Sequence, residues 1–562
     1  MVMLSSFQEE AKRPAGQGKA KGVFPLLPFP AAQAANTPKE VFSMKKLVSL
    51  FLAAVLALSL AAIPNVLAED YDFQIAVKRH AMDKSDGYGT KPGAILAEQN
   101  TGLKIDYYEM DASVATDRVN IMLNSGTLPD AFINTISQEQ LTRNLPLFTP
   151  LDEYLTEENC PHLMDVFEQY PEVKASITQT DGRIYSLPTW KYVSNENDGG
   201  AIQFINKAWL DKLNLEMPTT TEEFYNVCKA IKDGDPNGNG LKDEIPVLFT
   251  QNNWAAHFMF LMSPWGITEW VNGGDGYLKI DEGKVIFTPT LPEFRAALEY
   301  WHRFAEEDLL DVEGFTMTNQ QFYARLKSYV GLTYSGWTPA NNFDTETARE
   351  YVALPPLTAS DYPEITPVQN GHWNTYRGNS YGFVITAACK DPAKLVQWYD
   401  AQNADTKTKM TWRAGEEGLL WEIQDGVLYT LYPESVTVDF THSNMGYTYG
   451  CSENAPTFLL PTEVSQYHDD APADATMRLK MVEVVKPYLQ KEIFPSRPVE
   501  SAKLEEHNMI YTDLKAYLDS FVADCVVYGI DDAKWEKHLK DCQGYHADEW
   551  TQWYQDFLDG KF

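Results

Sequence analysis

Residues 103–133 read LKIDYYEMDASVATDRVNIMLNSGTLPDAFI. Leu103–Tyr108 alternates between apolar and polar side chains as a half-buried strand does, and Ala115–Leu123 has the apolar spacing of a helix. Leu128–Ile133 then returns to an extended pattern. A strand, a helix and a second strand in this order are typical of a unit whose strands run parallel. The same alternation recurs through residues 69–562, so we expect an α/β fold with mostly parallel sheets.

Other segments continue this pattern. We expect further strands at Tyr71–Lys78, Val330–Tyr334, Tyr351–Leu354 and Phe383–Ala387, and helices at Trp209–Leu213 and Thr221–Ile231. A threonine among residues 219–221 can cap the second of these helices. Six apolar side chains share one helical face and are expected in the core: Phe294, Ala297, Leu298, Trp301, Phe304 and Ala305. After about residue 470 the pattern is mostly helical.

The composition describes a globular protein with a large acidic excess. The 562 residues are 44% hydrophobic and 13% aromatic, which excludes a disordered chain, and their formal net charge is −33. Such a charge disfavours binding to nucleic acid and to anionic membranes, because both are polyanions. The six cysteines include no CxxC pair, so neither a zinc ribbon nor a thioredoxin motif is present. No nucleic-acid partner is therefore expected.

An apolar run, Leu47–Ile63, follows the basic start Met44-Lys45-Lys46. Residues 44–68 are therefore typical of an export signal that is cleaved after Ala68. The alternative is a membrane anchor, which needs about 20 apolar residues and fits this shorter run less well. We expect residues 1–43 to be a disordered leader or a start-site extension. The protein is expected outside the cytoplasm, whether secreted, cell-surface-associated or periplasmic.

Six segments occur in an order that points to a known family. They are Gly126–Phe132 (GTLPDAF), Leu151–Tyr154 (LDEY), Asp181–Pro188 (DGRIYSLP), Asn206–Leu213 (NKAWLDKL), Asp235–Pro246 (DPNGNGLKDEIP) and Gly415–Trp421 (GEEGLLW). Together they resemble the extracellular solute-binding proteins of ABC importers, above all the large sugar-binding branch that includes lipoprotein and alginate-binding members. Many of these proteins carry a lipid-modified cysteine at the cleavage site. Ala68-Glu69 contains no such lipobox cysteine, so the resemblance leaves retention at the cell surface unexplained.

The resemblance implies two α/β lobes of the type 2 periplasmic-binding-protein architecture, with the ligand held in the cleft between them. The expected lobes comprise about residues 69–190 with 372–410 and about residues 195–370, followed by a helical part at about 411–562. Lobe closure would be a hinge motion. We expect the protein to capture a carbohydrate of oligosaccharide size and deliver it to the transmembrane permease of an ABC transporter, as a monomer without enzymatic activity. Binding of peptides or other small polar solutes, and an exported glycoside hydrolase, are the alternatives.

Oxygen-bearing side chains recur at every second position from Asp235, which is typical of a structural Ca²⁺ loop. Two registers are open. A loop starting at Asp233 matches the helix-flanked calcium motif through Glu244, whereas one starting at Asp235 has Pro246 at its twelfth position. The resemblance favours the second register, with the Leu241 carbonyl as backbone ligand. The expected calcium ligands are Asp235, Asn237, Asn239, Leu241, Asp243 and Glu244, and an Asx-rich turn without metal is the alternative.

Sugar sites combine aromatic faces, which stack on C–H groups, with amide and carboxylate groups that bond hydroxyls. Trp337 comes directly after a buried strand, and its placement resembles that of the stacking tryptophan in maltose-binding proteins. The expected ligand-binding residues are Trp337, Asn134, Thr135, Trp190, Trp373, Tyr376 and Arg377. Trp254, His257 and Trp265 are weaker candidates. Each of these side chains could instead pack within the fold.

Three patterns resemble catalytic or metal sites. Gly378-Asn379-Ser380-Tyr381-Gly382 matches the nucleophile elbow, but that motif needs a helix after it and the following segment has a strand pattern. The glutamates of Glu416-Glu417 are adjacent, whereas glycosidase carboxylates flank the scissile bond from two sides. His538, Cys542 and His546 share one helical face, which a soft-metal site or simply an exposed helix would explain. Catalysis is not indicated, and no catalytic residue is assigned.

Overall fold

The computed structural model describes residues 71–191, 200–267, 277–369, 378–433, 442–463, 465–469, 471, 473–492, 494–495 and 498–562. At the edges of some of these ranges it describes the backbone alone. Residues Leu67–Phe562 form one unit. No helix within these ranges combines the length and the apolar character that crossing a membrane requires. The expected export signal at residues 44–68 lies outside the described residues.

The strands and helices of the described ranges have the following bounds. The strands are β1 (Phe73–Arg79), β2 (Ile105–Asp111), β3 (Ala131–Ile133), β4 (Ser186–Lys191), β5 (Ile202–Asn206), β6 (Leu278–Asp281), β7 (Lys284–Phe287), β8 (Thr333–Gly336), β9 (Tyr351–Ala353), β10 (Gly378–Ile385), β11 (Trp421–Gln424), β12 (Val427–Thr430) and β13 (Phe458–Leu459). The helices are α1 (Pro92–Thr101), α2 (Ala115–Ser125), α3 (Gln138–Arg143), α4 (Pro161–Gln169), α5 (Pro171–Ile177), α6 (Lys207–Lys212), α7 (Thr221–Gly234), α8 (Pro292–Glu306), α9 (Asn319–Lys327), α10 (Thr345–Glu350), α11 (Pro392–Ala401), α12 (Thr406–Ala414), α13 (His442–Tyr449), α14 (Ala473–Val485), α15 (Ser501–Tyr528), α16 (Asp532–Gly544) and α17 (Ala547–Leu558).

The first lobe is built on a six-stranded sheet with the strand order β13-β4-β10-β3-β1-β2. β1 pairs in parallel with both β2 and β3, so residues 103–133 form the predicted strand–helix–strand unit. β10 runs antiparallel to both of its neighbours, β3 and β4. The sheet is therefore mixed, with its parallel part at the strands that come first in the chain.

The second lobe contains a three-stranded sheet with the order β8-β5-β9, in which both pairings are antiparallel. The prediction of mostly parallel sheets is wrong for this sheet. β5 and β8 are far apart in the chain, with several helices and the β6–β7 pair between them, whereas β8 and β9 are joined by a short segment that contains α10. An alternation of strands and helices therefore identifies the elements without fixing the direction in which distant strands pair.

Helices cover both faces of the first-lobe sheet. On one face, Ile75, Ile133 and Phe383 meet Trp398 of α11 and Trp412 of α12, and all five side chains are buried. The side chains that point to the other face lie in a separate cluster with α2. Burial of both faces is the usual state of the sheet in an α/β lobe.

Distant parts of the chain assemble the core of the second lobe. α8 buries Phe294, Leu298 and Trp301, which confirms that the predicted apolar stripe belongs to the core. α15 and α17 add Leu518 and Trp550 to the same cluster. The C-terminal helices therefore complete the second lobe.

The predicted lobe boundaries stay a prediction. Boundaries near residues 190–195 and 370–372 fall beside the undescribed residues 192–199 and 370–377. The predicted helical part at about 411–562 also contains the strands β11, β12 and β13. Of these, β13 pairs with β4 and so extends the first-lobe sheet.

α7 leads from a capped start into the polar loop that the sequence singles out. The Thr220 hydroxyl accepts from the backbone N–H of Glu223, and the Glu223 carboxylate accepts in return from the backbone of Thr220. This reciprocal pair is a capping box, which confirms the predicted threonine cap. The helix ends at Gly234, and Asp235 follows in the left-handed conformation with φ of 47°.

Candidate ligand cavity and metal loop

A cavity of about 440 Å³ lies between the lobes. Most of its lining belongs to the second lobe, but the first lobe contributes Met82, from the loop after β1, and Asn444, on α13. The residues that line it are Met82, Asn253, Trp254, Ala255, Phe322, Tyr323, Lys327, Tyr334, Ser335, Gly336, Trp337, Asn341, Asn342 and Asn444. A site that closes by hinge motion needs groups from both lobes, and this cavity has them.

Two other cavities lie within single lobes. One of about 290 Å³ is lined mainly by α4, α11 and α12 of the first lobe. The other, of about 500 Å³, lies in the second lobe between residues 279–281, 365–368 and 487–492. Neither combines groups from both lobes, so the interlobe cavity is the better candidate for ligand capture.

Trp337 and Trp254 form the aromatic part of the second-lobe wall. Trp337 directly follows β8 and is 36% exposed, and Trp254 is 52% exposed. Their ring centroids are 6.3 Å apart, and the ring planes are inclined by 52°. Because neither ring is enclosed by the core, both present aromatic surface to a ligand in the cavity.

Amide and hydroxyl groups surround these rings. The Nδ2 of Asn253 donates to the Tyr323 hydroxyl at 2.9 Å, and the Nδ2 of Asn342 lies 3.4 Å from the Tyr334 hydroxyl. Among the described residues that line the cavity there is no Asp or Glu, and Lys327 is the one charged residue. In a chain of net charge −33 this is a wall suited to an uncharged polar ligand.

A buried ion pair fixes the first-lobe side of the cavity. The Nζ of Lys91 donates to Asp83 Oδ2 at 2.7 Å and to two backbone carbonyl oxygens at and just after the end of α13. The side chains of Lys91 and Asp83 are each 4% exposed. We call residues 80–85 and 444–450 the first-lobe lip. The ion pair joins the two segments of this lip, which carry Met82 and Asn444.

The surroundings of Asp83 favour its charged form. Burial raises the pKa of this carboxyl, but the hydrogen bonds from Lys91 and Ser85 outweigh burial and hold the pKa below its ordinary value of 3.8. Nearby, the rings of His80 and Tyr447 stack with centroids 3.8 Å apart. The first-lobe lip is therefore held by charge and by ring packing together.

The loop after α7, residues 235–244, buries carboxylate oxygens without donors. Glu244 is fully buried, and neither of its carboxylate oxygens has a hydrogen-bond partner within the described residues. The Oδ1 of Asp235 is also buried without a partner there. Burial raises the pKa of Glu244 and the charges of Asp243 and Asp235 add to the increase, which the nearby backbone N–H groups of Glu244 and Asn237 offset only in part. Leaving such a charge unpaired costs several kcal/mol, and a bound cation would remove that cost.

Other polar atoms of the loop bond to one another. The Nδ2 of Asn239 lies 3.1 Å from both carboxylate oxygens of Asp243, and the backbone N–H of Gly240 donates to Asp235 Oδ2 at 3.1 Å. Asp233 is exposed. This arrangement favours the register that starts at Asp235. The described residues hold no group of three His, Cys, Asp or Glu side chains placed for a metal, but a calcium loop also uses amide and carbonyl oxygens.

Comparison with known proteins agrees with this architecture. A family profile described as "Bacterial extracellular solute-binding protein" matches residues 83–402, which is more than half of the chain. The chain belongs to this family. The predicted resemblance to the solute-binding proteins of ABC importers is thereby confirmed.

Individual solute-binding proteins are similar over most of their length. The chain is 28% identical over 496 residues to the fructooligosaccharide ABC transporter substrate-binding protein FusA of Streptococcus pneumoniae, covering 82% of this chain and 85% of FusA. The structure of a FusA EF-hand mutant in complex with fructo-nystose aligns with a TM-score of 0.75 at 24% identity, covering 87% of this chain and 99% of that one. An HMO-binding solute-binding protein of Bifidobacterium longum infantis aligns with a TM-score of 0.74 at 20% identity, covering 87% and 98%. These likenesses confirm the predicted two-lobe α/β fold.

Trp337 lines the cavity of this solute-binding protein, as its predicted role requires, whereas Asn134 and Thr135 do not. The Oδ1 of Asn134 accepts from the Thr189 hydroxyl at 2.6 Å, and its Nδ2 lies 3.2 and 3.3 Å from two carbonyl oxygens in residues 453–455. Asn134 thus joins three segments of the first lobe. The Thr135 hydroxyl is buried without a partner among the described residues. Ligand binding by any of the three stays a prediction.

Four predicted ligand residues have side chains that the structure does not describe, although the backbone of Trp190 lies in β4. The side chains of Trp190, Trp373, Tyr376 and Arg377 lie outside the described residues, and their roles stay predictions. The sequence-based set also omitted residues that line the cavity, among them Asn253, Tyr323 and Asn342. A signal for two of these was present, because an Asn-Asn pair precedes Trp254 directly and another follows Trp337 by four residues.

The patterns that resemble catalytic or metal sites have structural explanations. Residues 378–382 lie within β10, and a Cβ on Gly382 would stand 1.9 Å from Thr189 Oγ1, so this glycine lets β4 and β10 approach closely. His538 is buried and stacks on Phe521 with centroids 3.8 Å apart. His546 precedes the next helix, α17, and pairs with Glu549. The three metal-type residues therefore do not share one helix.

Proposed function

We propose that this solute-binding protein captures an uncharged oligosaccharide in the interlobe cavity and delivers it to the permease of an ABC importer. One observation carries the proposal: two partly exposed tryptophans, Trp337 and Trp254, stand beside a group of asparagine amides in a cavity that both lobes line. Aromatic faces stack on the C–H surface of sugar rings, while amides both donate to and accept from hydroxyls. The similarity to a fructooligosaccharide-binding protein and to an HMO-binding protein supports the same class of ligand.

The charges of the cavity favour this ligand over the alternatives. A peptide has a charged group at each end and is best bound where both charges are matched. Lys327 is the one charged side chain among the described lining residues. A glycoside hydrolase needs two carboxyl groups beside the scissile bond, and the described lining supplies neither. We therefore propose binding without turnover.

We also propose that residues 235–244 hold a structural Ca²⁺. The proposed ligands are the side chains of Asp235, Asn237, Asn239, Asp243 and Glu244 and the backbone carbonyl of Leu241. The unpartnered buried oxygens of Asp235 and Glu244 support this assignment, as does the EF-hand of the relative FusA. Calcium would neutralise these carboxylates and fix the loop between α7 and the following chain.

The remaining proposals concern location and assembly. We propose that residues 44–68 direct export, that the mature chain acts outside the cytoplasm, and that it acts as a monomer beside the transmembrane subunits of its importer. Membership in an extracellular family supports the location. Mass spectrometry of the secreted protein would give its N-terminus, which we expect at Glu69, and light scattering would give its mass in solution.

A ligand screen tests the main proposal. Thermal unfolding is measured with kestose, diacetylchitobiose, maltotriose, trigalacturonate and a tripeptide. A ligand at 100 times its dissociation constant stabilises the fold by about 2.7 kcal/mol. We expect a neutral glycan to raise the melting temperature while its chain length, followed by chromatography, stays unchanged. Stabilisation by the tripeptide alone, or shortening of a glycan, would overturn the proposal.

A further inference from the structure

Arg478 of α14 lies behind Trp337, the tryptophan of the cavity wall. Its guanidinium carbon is 3.9 Å from the centroid of the Trp337 ring. One terminal nitrogen donates to the Trp337 carbonyl oxygen at 2.7 Å, and the other donates to the Gly200 carbonyl oxygen at 2.6 Å. A single side chain thus contacts both the ring and the backbone of Trp337 and links them to the chain just before β5.

We propose that Arg478 is a positioning residue that fixes the Trp337 indole in one orientation and leaves one of its faces to the ligand. Arg478 is not among the residues that line the cavity, so it acts through Trp337 and not by touching the ligand. That the Trp337 ring is fixed follows from the observed contacts of Arg478 alone. The effect of Arg478 on ligand affinity depends in addition on the proposed capture of an oligosaccharide.

Two physical effects make this contact useful. A tryptophan that moves freely loses conformational freedom when a ligand stacks on it, whereas a fixed ring has already lost it during folding. Arginine is suited to the task because its planar guanidinium stacks on an aromatic face while its edge donates hydrogen bonds. Lysine at this position would keep the charge without the planar fork.

The chain offers a matched control for the same chemistry. The guanidinium carbon of Arg303 lies 3.1 Å from the centroid of the Tyr225 ring, and Arg303 also pairs with Glu222. This second arginine–aromatic pair lies in the same lobe, away from the cavity. An effect of Arg478 that is specific to the cavity must therefore be absent when Arg303 is changed.

The first experiment needs no ligand. Protein labelled with 5-fluorotryptophan is studied by ¹⁹F NMR, and Trp337→Phe assigns the line of Trp337. We expect Arg478→Met and Arg478→Lys to shift or broaden this line while leaving the lines of the buried tryptophans in place, and Arg303→Met to leave it unchanged. A Trp337 line that stays the same in both Arg478 variants would overturn the positioning role.

The second experiment measures affinity for the glycan of the screen that stabilises the wild type, with kestose tried first. We expect Arg478→Met to weaken binding by about 3- to 30-fold, the range of a cation–π contact. In a Trp337→Ala background the same change should leave the residual affinity within about twofold. Equal losses in both backgrounds, or a moved ¹⁹F line with unchanged affinity, would overturn the inference. If no glycan binds the wild type, the proposed function fails, whereas the ¹⁹F result still decides the positioning role.

Discussion

The first-lobe lip and the loop after α7 each bury a carboxylate, and only the lip carboxylate, Asp83, has a cation beside it, Lys91 at the start of α1. Asp83 is paired with the equally buried Lys91, and its pKa lies below the ordinary value. Neither carboxylate oxygen of Glu244 makes a hydrogen bond among the described residues, and the pKa of Glu244 lies above the ordinary value. A buried charge is tolerated when it is paired. The lip carboxylate thus has its cation within the chain, whereas the proposed calcium would supply one to the loop.

The largest effect is expected from removing the cation of the lip. Lys91→Met removes the 2.7 Å partner of the buried Asp83 carboxylate and leaves Arg79, whose Nε lies 3.8 Å from Asp83 Oδ2, as its remaining cation, so we expect the free energy of unfolding to fall by about 3 kcal/mol. Added calcium should not restore it. Adding Asp83→Asn to this variant should recover part of the loss, because no uncompensated charge then stays buried. Urea unfolding gives the free energy of unfolding of the wild type, of Lys91→Met and of the double variant. Lys84→Met, at an exposed neighbouring position, is the control. Equal stability of Lys91→Met and the control would remove the contrast between lip and loop.

The next effect concerns the loop. Chelation should lower the free energy of unfolding by about 3 kcal/mol relative to calcium at 100 times its dissociation constant. Glu244→Gln keeps the shape of the side chain but removes its charge, so this variant should lose the calcium response and melt in chelator no lower than the wild type. Magnesium should restore the wild type poorly, because it demands a stricter octahedral geometry than calcium.

Single changes in the loop separate the two registers. Asp235→Ala should abolish the calcium response in either register. Asp233→Asn should leave the response intact if the loop starts at Asp235, and Asn239→Ala should then weaken it. A melting curve that chelator does not change, together with no metal in the purified protein, would contradict the calcium site and favour an Asx-rich turn at residues 235–244.

His538 is a third buried titratable group, and burial favours its neutral form. Burial lowers the pKa of His538 from 6.5 to about 4. The unfolded chain therefore binds a proton at His538 more readily than the folded chain does. The stability that the folded state gains by keeping His538 neutral is complete above pH 6.5 and is lost as the pH falls towards 4. The loss should amount to about 3 kcal/mol. His538→Gln should flatten this part of the stability profile, whereas His546→Gln, at an exposed site, should not. Parallel profiles for all three proteins would contradict the assignment.

The smallest effect on stability is expected in the cavity wall. Trp337→Ala should change the free energy of unfolding by less than about 1 kcal/mol, because the ring is partly exposed, yet weaken glycan binding by about 10- to 100-fold. Trp209→Ala, in the core, should cost about 3–5 kcal/mol of stability. Calorimetric titration and thermal unfolding measure both quantities. Unchanged affinity with a large loss of stability would place Trp337 in the core instead of the ligand site.

Local patterns predicted local structure well. The apolar stripe of α8, the threonine cap of α7 and the strand–helix–strand unit at residues 103–133 depend on neighbours within a few positions, and the structure confirms them. Pairing between distant segments was not predictable in the same way. The antiparallel pairing of β10 with β3 and the contact of Lys91 with α13 join residues far apart in the chain. No spacing in a single sequence encodes such contacts.

The candidate site shows the same division. Trp337 was predicted because it directly follows a buried strand, and the loop at Asp235 because its oxygens alternate. Met82 and Asn444 were not predicted, because they reach the cavity only through the folding of the first-lobe lip. Arg478 was not predicted either, since it lies 141 residues beyond Trp337 in the chain.

The packing of α15 and α17 into the second-lobe core has a consequence for biogenesis. A chain that is synthesised from its N-terminus supplies β1, β2 and β3 early, but Trp550 and Tyr554 of the second-lobe core much later. Domains generally fold in the order in which they emerge. The apolar core of the second lobe is therefore incomplete and exposed until α15 and α17 have been synthesised. Loss of α15, α16 and α17, by a nonsense mutation or by proteolysis during secretion, should yield an aggregating fragment whose first lobe is nevertheless folded.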